Sequence, residues 1–455
     1  MVAPDGLPAP RRHWAYATVA LAVVLAVMDG SVANVALPTI ASQFGTSPAL
    51  SIWIVNAYQL AVVAALLPLA SLGEIYGYRR IYLGGLVVFT LASLACALSP
   101  SLAALTVARV AQGFGAAGVM SVNIALVRYI FPRARLARAI GMNAMFAATA
   151  ATIGPTFAST VLGFASWPWL FTVNVPLGLL AVAIGSFSLP DSDRSPYRFD
   201  AISAVLTAVA FVSVITLIDS VAHDAAWPVI IGQLLLCGLT GFWAALRQLG
   251  LPSPLLPIDL LRIPVFALSI GTSVCSFAAQ MIAFVALPFH MQMALGVSPA
   301  MIGFLIMPWP LAVGLFAPIS GRLVERYPAG LLGGLGLALM AVGLVLVAAL
   351  PVHPAFADVA WRMALCGAGF GLFQTPNNRT LIGAAPKSRS GGASGMLGTA
   401  RLMGQAVGAA LVAVLLSHYA QHGTLLALYL GAGFAAVAAV VSTLRVATHA
   451  RPVTA

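Results

Sequence analysis

Fourteen apolar segments follow one another along this chain, and their number and length constrain its fold more than any single motif. Each segment is close to the roughly 20 residues that a helix needs to cross a hydrocarbon core. Hydrophobic residues make up 61% of the chain and charged residues 7%, whereas soluble domains carry about 25% charged residues. We therefore predict an all-α polytopic membrane protein. The predicted spans are 14–37, 50–72, 81–98, 101–127, 138–162, 167–189, 200–219, 227–247, 265–288, 299–320, 330–350, 359–381, 392–416 and 423–444.

The basic residues predict the orientation of these spans. Lys and Arg collect in cytoplasmic loops, and here they fall in every second connection, as at Arg79–Arg80 and Arg322–Arg326. We therefore expect a multi-pass protein of the cytoplasmic (inner) membrane with both termini in the cytoplasm. The net charge of +11 does not indicate nucleic acid as a partner, because no basic face with interleaved aromatic residues is present.

The chain also repeats itself. Residues 35–38 (VALP) recur at 285–288, and the pair Gly113 and Gly115 recurs as Gly367 and Gly369, so that matching positions are 250 to 254 residues apart. Parallel six-helix repeats are typical of transporters whose halves rock about a central site. We predict two pseudo-symmetric six-helix bundles, residues 1–190 and 263–455. A linker and two inserted helices, which we expect outside the central cavity, occupy residues 191–262.

Asp29 is the one acid that lies deep within a predicted span. An ionisable group at membrane depth is costly and is a functional-site candidate. Arg109 of the fourth span lies at a similar depth, so the two side chains are expected to pair. The alternative for Asp29 is a structural role in a wet crevice or at a helix contact. His290, near a span end, is the rival candidate for proton coupling.

Several motifs resemble a known family. Residues 29–38 (DGSVANVALP) resemble the first-helix signature of the fourteen-helix drug:proton antiporter family of the major facilitator superfamily. Residues 72–80 (LGEIYGYRR) resemble the loop motif between its second and third helices, with Glu74 in place of Asp and Tyr78 in place of a basic residue. Residues 109–117 (RVAQGFGAA) resemble its fourth-helix motif. The chain is thus similar to this family over nearly its whole length.

The fifth-helix antiporter motif matches in part. Gly154–Pro155 resembles its core and implies a helix hinge, but Ala158 and Ser159 stand where the family has two glycines. The direction of transport therefore does not follow from this motif alone.

The resemblance implies a proton-coupled transporter that works by alternating access. Proton coupling would involve Asp29 and Arg109. Glu74 lies with Arg79 and Arg80, and Glu325 with Arg322 and Arg326, at cytoplasmic helix ends, where charge pairs and helix dipoles would latch one half to the other. The alternative is that the basic residues there act only in determining the topology. The complete set of expected gating residues is Glu74, Gly77, Arg79, Arg80, Gly321, Glu325 and Arg326.

Polar and aromatic residues on helix faces indicate a large, mostly apolar cavity that accepts lipophilic compounds. Each residue alone is equally explained by helix packing, and Arg401 by a side chain that extends to the cytoplasmic face. The expected cavity residues are Asn34, Tyr58, Gln112, Asn123, Asn143, Phe277, Gln280, Phe284, Gln374, Asn377 and Arg401.

Two functions remain open from the sequence. The first is proton-coupled export of lipophilic drugs or antiseptics. The second is proton-coupled transport of a specific metabolite. An anion is among the candidates because Arg109 and Arg401 lie in spans, while no acid lies deep within a span of the second half. An enzyme is not expected, since the short connections leave no room for a catalytic domain and no H-E-x-x-H or G-x-S-x-G motif occurs. No cofactor or metal is expected. The partners would be a small-molecule substrate, protons and the bilayer, and the protein is expected to be a monomer.

Overall fold

The computed structural model describes residues 6–192, 194, 199–222, 225–249, 258–351, 354–385, 390–419 and 422–449. In this part of the chain fourteen helices are long and apolar enough to cross a membrane, which confirms the predicted all-α fold. The spans, in chain order, are Ala9–Phe44, Pro48–Tyr76, Tyr78–Ala97, Leu102–Ile130, Met145–Phe164, Trp169–Ser188, Ala201–Ile218, Trp227–Gln248, Pro264–Ala294, Pro299–Leu323, Ala329–Ala348, Phe356–Ala384, Gly395–His418 and Gly423–Arg445.

Several helices extend past these spans or break within them. The fifth helix begins at Arg133 and the thirteenth at Ser390, while the seventh runs over Ala201–Ala222. The tenth span consists of two helices, Pro299–Ile306 and Pro308–Leu323. Pro308 has no backbone N–H to donate to the preceding turn, so the helical hydrogen bonds are interrupted there, although Met307 itself keeps helical angles, with φ −53° and ψ −35°. The second span likewise opens with the short helix Pro48–Ser51 before Trp53–Tyr76.

Each half is held together by glycines of its fourth helix. A Cβ at Gly113 would lie 2.6 Å from the carbonyl oxygen of Tyr58 in the second span, and Gly115 lies against the backbone of Phe89 in the third. In the second half Gly367 lies against Trp309 of the tenth span and Gly369 against the backbone of the eleventh. Small residues let helix backbones approach closely in a membrane. The glycine repeat in the sequence is therefore one helix contact made twice.

The two inserted helices lie at the edge of the molecule. Ile215 of the seventh span packs in a small cluster with Leu60 of the second and Ala406 of the thirteenth. The eighth span packs mainly against the seventh, and 6% of the residues in its most apolar stretch are buried. Neither helix contributes a described residue to the central cavity, in agreement with the prediction for this pair. Residues 193 and 195–198 of the predicted linker lie outside the described residues.

The two bundles contact each other near the face opposite the chain termini, which we call the far face. There Gly303 of the tenth span lies directly on the fifth span, and the short helix Pro48–Ser51 touches the thirteenth span. The face that carries the termini is called the terminal face. Its helix ends expose large side chains, including Tyr76 and Tyr327. The central cavity is thus closed on the far side.

Candidate functional site

The acid at membrane depth lies inside a hydrogen-bond network. Asp29 of the first span and Arg109 of the fourth form an ion pair, with 2.5 Å between Oδ2 and Nη1. Each side chain is 1% exposed. Gln112 Nε2 and Asn174 Nδ2 donate hydrogen bonds of 2.8 and 2.9 Å to Asp29 Oδ1. The pairing predicted from helix depth is present, and both carboxylate oxygens have partners.

Arg109 is fastened on several sides. Its Nε donates a hydrogen bond of 3.1 Å to the carbonyl oxygen of Ile54, and its Nη1 also contacts Gln112 Oε1 at 2.6 Å. The guanidinium carbon lies 4.2 Å from the ring centroid of Tyr58 and 5.7 Å from that of Phe171. Aromatic faces attract cations. Four helices of the first half therefore hold this guanidinium: the first, second, fourth and sixth.

Tyr58 separates the ion pair from the central cavity. Its ring covers Arg109 on one side and lines the cavity on the other. The first span contributes Gly30, Ser31 and Asn34 to the cavity wall, whereas Asp29 is buried in the bundle. A substrate in the cavity and the carboxylate would thus communicate through Tyr58 and the first helix rather than by direct contact.

The cavity between the two bundles has a volume of about 520 Å³. Its wall combines aromatic rings with neutral amide side chains. The aromatic members are Tyr58, Phe277, Phe284, Trp309 and Phe370, and the amide members are Asn34, Gln59, Gln280, Gln374, Asn378 and Gln405. Such a wall accommodates an apolar body and offers scattered hydrogen-bonding groups, as expected for a small-molecule site.

Arg401 is the one residue with a formal charge among the described residues of this wall. Its side chain is exposed to the cavity, and its guanidinium carbon lies 5.8 Å from the ring centroid of Phe277. No described residue forms a hydrogen bond or an ion pair with it. The structure therefore places Arg401 in the cavity wall, and it does not extend to the terminal face.

Seven of the predicted cavity residues line this wall: Asn34, Tyr58, Phe277, Gln280, Phe284, Gln374 and Arg401. The other four lie outside it. Gln112 is used by the Asp29 network, Asn123 and Asn143 are buried within the first bundle, and Asn377 is bonded within the second. For Gln112 and Asn377, hydrogen bonds within one bundle account for the polar side chain, whereas the amide oxygens of Asn123 and Asn143 have no hydrogen-bond partner among the described residues.

The interactions of Asn377 belong to a second polar cluster, which the sequence did not reveal. Arg445 Nη1 donates hydrogen bonds of 2.7 Å to Ser269 Oγ and 2.6 Å to Asn377 Oδ1. Asn377 Nδ2 in turn donates one of 2.7 Å to Ser273 Oγ. Arg445 is buried at the end of the last span. This cluster ties the ninth, twelfth and fourteenth spans together near the terminal face.

Some wall residues were not predicted, notably Trp309, Phe370, Gln59 and Gln405. Gln405 follows Arg401 by one helical turn, so the side chains share a helix face, and this spacing was an available signal. The tryptophan and phenylalanine carry no such signal, because an aromatic residue in a membrane span faces lipid, a neighbouring helix or a cavity with equal ease.

The predicted latch of the first half has a different partner. Arg79 Nη1 lies 3.3 Å from Asp191 Oδ1, and Arg79 Nη2 donates to the carbonyl oxygen of Ser186. Gly77 between the second and third spans has a φ of 101°, a conformation that favours glycine. This turn directs Arg79 toward the sixth span, so in this conformation Arg79 pairs with Asp191 and not with Glu74. Glu74 and Arg80 are exposed.

The matching loop of the second half is open. Glu325, Arg322 and Arg326 are exposed, and none forms an ion pair with a described residue. Gly321 lies beside Thr375 of the twelfth span. Neither latch is formed while the far face is closed, and a gating role for these residues stays a prediction.

The predicted hinge lies where the two halves meet. Gly154 packs against Ser31 of the first span, and Pro155 lies inside the fifth helix opposite Gly303. A proline in a helix removes one backbone hydrogen bond, which provides a place to bend.

No group of three or more His, Cys, Asp or Glu among the described residues could hold a metal ion.

Comparison with known proteins adds the family. The family model described as "Major Facilitator Superfamily" matches residues 19–274 and 268–454. The chain is 53% identical to "Uncharacterized transporter YebQ" of Escherichia coli strain K12, over 97% of each chain. It is 31% identical to "Multidrug resistance protein Stp" of Mycobacterium tuberculosis, over 87% of this chain and 74% of that protein.

Solved structures share the fold. A crystal structure of a POT family transporter in complex with 5-aminolevulinic acid matches 96% of each chain with a TM-score of 0.73 and 14% sequence identity. At this identity the likeness describes the arrangement of helices alone.

Proposed function

Because this chain belongs to the Major Facilitator Superfamily, we propose that it is a proton-coupled secondary transporter that exports lipophilic compounds, drugs or antiseptics among them, by alternating access. The observation that carries the proposal is the ion pair of Asp29 and Arg109, which is buried beside the cavity and bonded to four helices. The similarity to a multidrug resistance protein supports export of drugs.

The network provides a mechanism for coupling. In the conformation closed at the far face, Arg109 stabilises the carboxylate of Asp29. A motion that draws the fourth helix away from the first would leave that carboxylate buried without its cation. An unpaired charge in a low-dielectric interior is costly, and the group becomes neutral instead. Asp29 would then take up a proton, and protonation would favour the conformation in which the pair is broken.

The contact between the fifth and tenth spans supports the second half of the cycle. Gly303 and Pro155 close the far face in this conformation. With the termini in the cytoplasm, as the basic loops indicate, the cavity is closed to the outside and would open outward when this contact separates. Export would follow from substrate entry on the terminal side and release at the far face.

Reconstituted protein tests this proposal. Liposomes that contain the full chain are loaded with a fluorescent lipophilic probe. Movement of the probe and the internal pH are recorded with and without an imposed pH gradient. We expect gradient-dependent probe transport accompanied by proton movement in the opposite direction. The Asp29→Asn variant should bind the probe but lose the coupling. Transport by this variant at the wild-type rate and with the same gradient dependence would refute the role of Asp29.

Transport of a specific metabolite is the second candidate function. The unpaired Arg401 favours a substrate that complements its charge, and one charged anchor in an apolar wall is a way to orient a single ligand. A screen of metabolites against a deletion strain distinguishes the two candidates, because a selective transporter would cause one compound to accumulate.

A further inference from the structure

We propose that the central cavity takes amphiphilic organic anions, each with an aromatic body and one carboxylate, and that Arg401 binds the carboxylate. This inference rests on the proposed transport function, since it names the class of compound carried. It concerns the substrate side of the cycle, whereas Asp29 and Arg109 concern the proton side.

The charge inventory of the cavity is the first argument. Among the described wall residues, Arg401 has the one formal charge, and no carboxylate is present. Asp29 does not offset it, because the charge of Asp29 is balanced by Arg109 within the first bundle and Tyr58 lies between that pair and the cavity. The cavity therefore has a positive potential. A cationic substrate would enter without a counter-charge, which is unfavourable in an apolar site.

The unpaired state of Arg401 is the second argument. A guanidinium at membrane depth is expensive and is normally paired or hydrated. The neighbours of Arg401 on the wall are the ring of Phe277 and neutral amides such as Gln405. A carboxylate can accept two parallel hydrogen bonds from a guanidinium, which is stronger than a neutral hydrogen bond. An anionic ligand is the group that such an arrangement lacks.

The aromatic part of the wall is the third argument. Phe277, Phe284 and Phe370 line the same cavity as Arg401. These rings would enclose the aromatic body of a ligand whose carboxylate binds Arg401.

The internal repeat shows that the charges are placed asymmetrically. Arg401 corresponds to Ala147 of the first half at the 254-residue offset, and Ala147 lines the same cavity. Asp29 corresponds to buried Ala279 at the 250-residue offset. Each ionisable group thus has an apolar counterpart in the other half. Proton binding would belong to the interior of the first bundle, behind Tyr58, and anion binding to the cavity wall of the second.

This separation has an electrical consequence. For any number of protons exchanged, export of a monoanion moves one more charge across the membrane than export of its neutral analogue. A membrane potential that is negative inside should therefore accelerate export of the anion more than export of the neutral compound.

Binding measurements with matched probes test the proposal. The full chain in detergent is titrated with 2-naphthoate, 2-naphthamide and 2-naphthylmethylammonium, which share one ring system and differ in charge. We expect 2-naphthoate to bind roughly tenfold or more tightly than the amide, the factor that a charge-assisted hydrogen bond provides, and the ammonium to bind most weakly. Tighter binding of the ammonium than of the naphthoate would overturn the proposal.

Variants assign the preference to one side chain. Arg401→Gln should remove the difference between naphthoate and amide, and Arg401→Lys should keep part of it. Gln405→Glu places an acid one turn from Arg401 and should weaken naphthoate binding while Arg401 stays in place. This variant keeps the test decisive if Arg401→Gln does not fold. Arg247→Gln, which changes an arginine of the inserted pair, is the matched control and should keep the full preference. An unchanged preference in Arg401→Gln or in Gln405→Glu would refute the assignment.

The same probes separate this inference from the proposed function. If naphthoate binds through Arg401 but liposomes show no gradient-dependent movement of any probe, the transport function is wrong and the ligand class stands. If the ammonium is exported with proton exchange and naphthoate neither binds nor moves, the ligand class is wrong and the transport function stands.

Discussion

The backbone N–H of Gly303 in the tenth span donates a hydrogen bond of 2.6 Å to Ser159 Oγ in the fifth span. This bond joins the two halves of the molecule beside the hinge at Pro155. A Cβ at Gly303 would overlap the carbonyl oxygen of Pro155. The close approach of two helix backbones at this point therefore depends on a residue with no side chain, and the bond holds the far face closed.

Gly303→Ala should shift the conformational equilibrium away from this closed far face. Overpacking costs about 1–3 kcal/mol, which corresponds to a change in the equilibrium constant of roughly five- to 150-fold. Spin labels at Thr160 and Met301, in a background without native cysteines, report the separation of the fifth and tenth spans. We expect a longer distance in the variant. Gly314→Ala is the matched control on the same span, since no atom lies within 4 Å of its Cβ. An unchanged distance distribution in Gly303→Ala would contradict the prediction.

Removal of one partner of the buried ion pair should be much more costly than removal of both. Arg109→Gln leaves the Asp29 carboxylate buried without its cation, a loss of about 3–5 kcal/mol, and Asp29→Asn should relieve part of it. A double-mutant cycle on Tm in detergent measures the coupling. The Asp358–Arg362 pair, which is partly exposed, is the control, and its coupling should stay below about 1 kcal/mol. Equal coupling in the two pairs would contradict the special position of Asp29 and Arg109.

Glu74→Gln and Glu325→Gln should slow transport more than they weaken binding. Both side chains are exposed on the terminal face and distant from the cavity wall, so they would act when that face closes. Exposed charge pairs contribute about 0.2–1 kcal/mol, which predicts a rate that is slower by a factor between about 1.4 and 5. Initial rates in liposomes and probe affinities in detergent are compared. Asp191→Asn is the control. It removes the acid that pairs with Arg79 and measures how loss of a neighbouring ion pair affects the transport rate and the probe affinity. An equal loss of affinity and rate in the glutamate variants would rule out a gate.

Asp200 should stabilise the start of the inserted helices at neutral pH. Partial burial tends to raise the pKa of Asp200, but hydrogen bonds from Ser203 and Arg247 bring it below the usual value. A lowered pKa in the folded state means that the stabilisation is complete above the unfolded value, about 3.9, and is lost as pH falls through the folded value. The Tm of Asp200→Asn should thus be slightly lower than that of the wild type at pH 7, and the difference should vanish at strongly acidic pH. If the Tm difference between the wild type and Asp200→Asn grew as the pH fell, the predicted lowering of the Asp200 pKa would be contradicted.

The sequence by itself determined the fourteen spans, the repeat and the depth of Asp29 and Arg109. These properties are local, since the length and hydropathy of a segment decide whether it crosses a membrane, and depth follows from 1.5 Å per residue along a helix. The glycines Gly113 and Gly367 were found from the sequence as members of the repeat, and the structure added that each lies at a close helix contact.

The tertiary structure decided which polar side chains face the cavity and which face another helix. Gln112 and Gln374 are both glutamines within spans, yet one completes the Asp29 network and the other lines the cavity. The pairing of Arg79 with Asp191 joins residues 112 positions apart and depends on the turn at Gly77. The rotation of each helix about its axis and the partners of its polar groups are set by packing between distant segments. In a chain whose spans are apolar on every side, hydropathy does not encode that rotation.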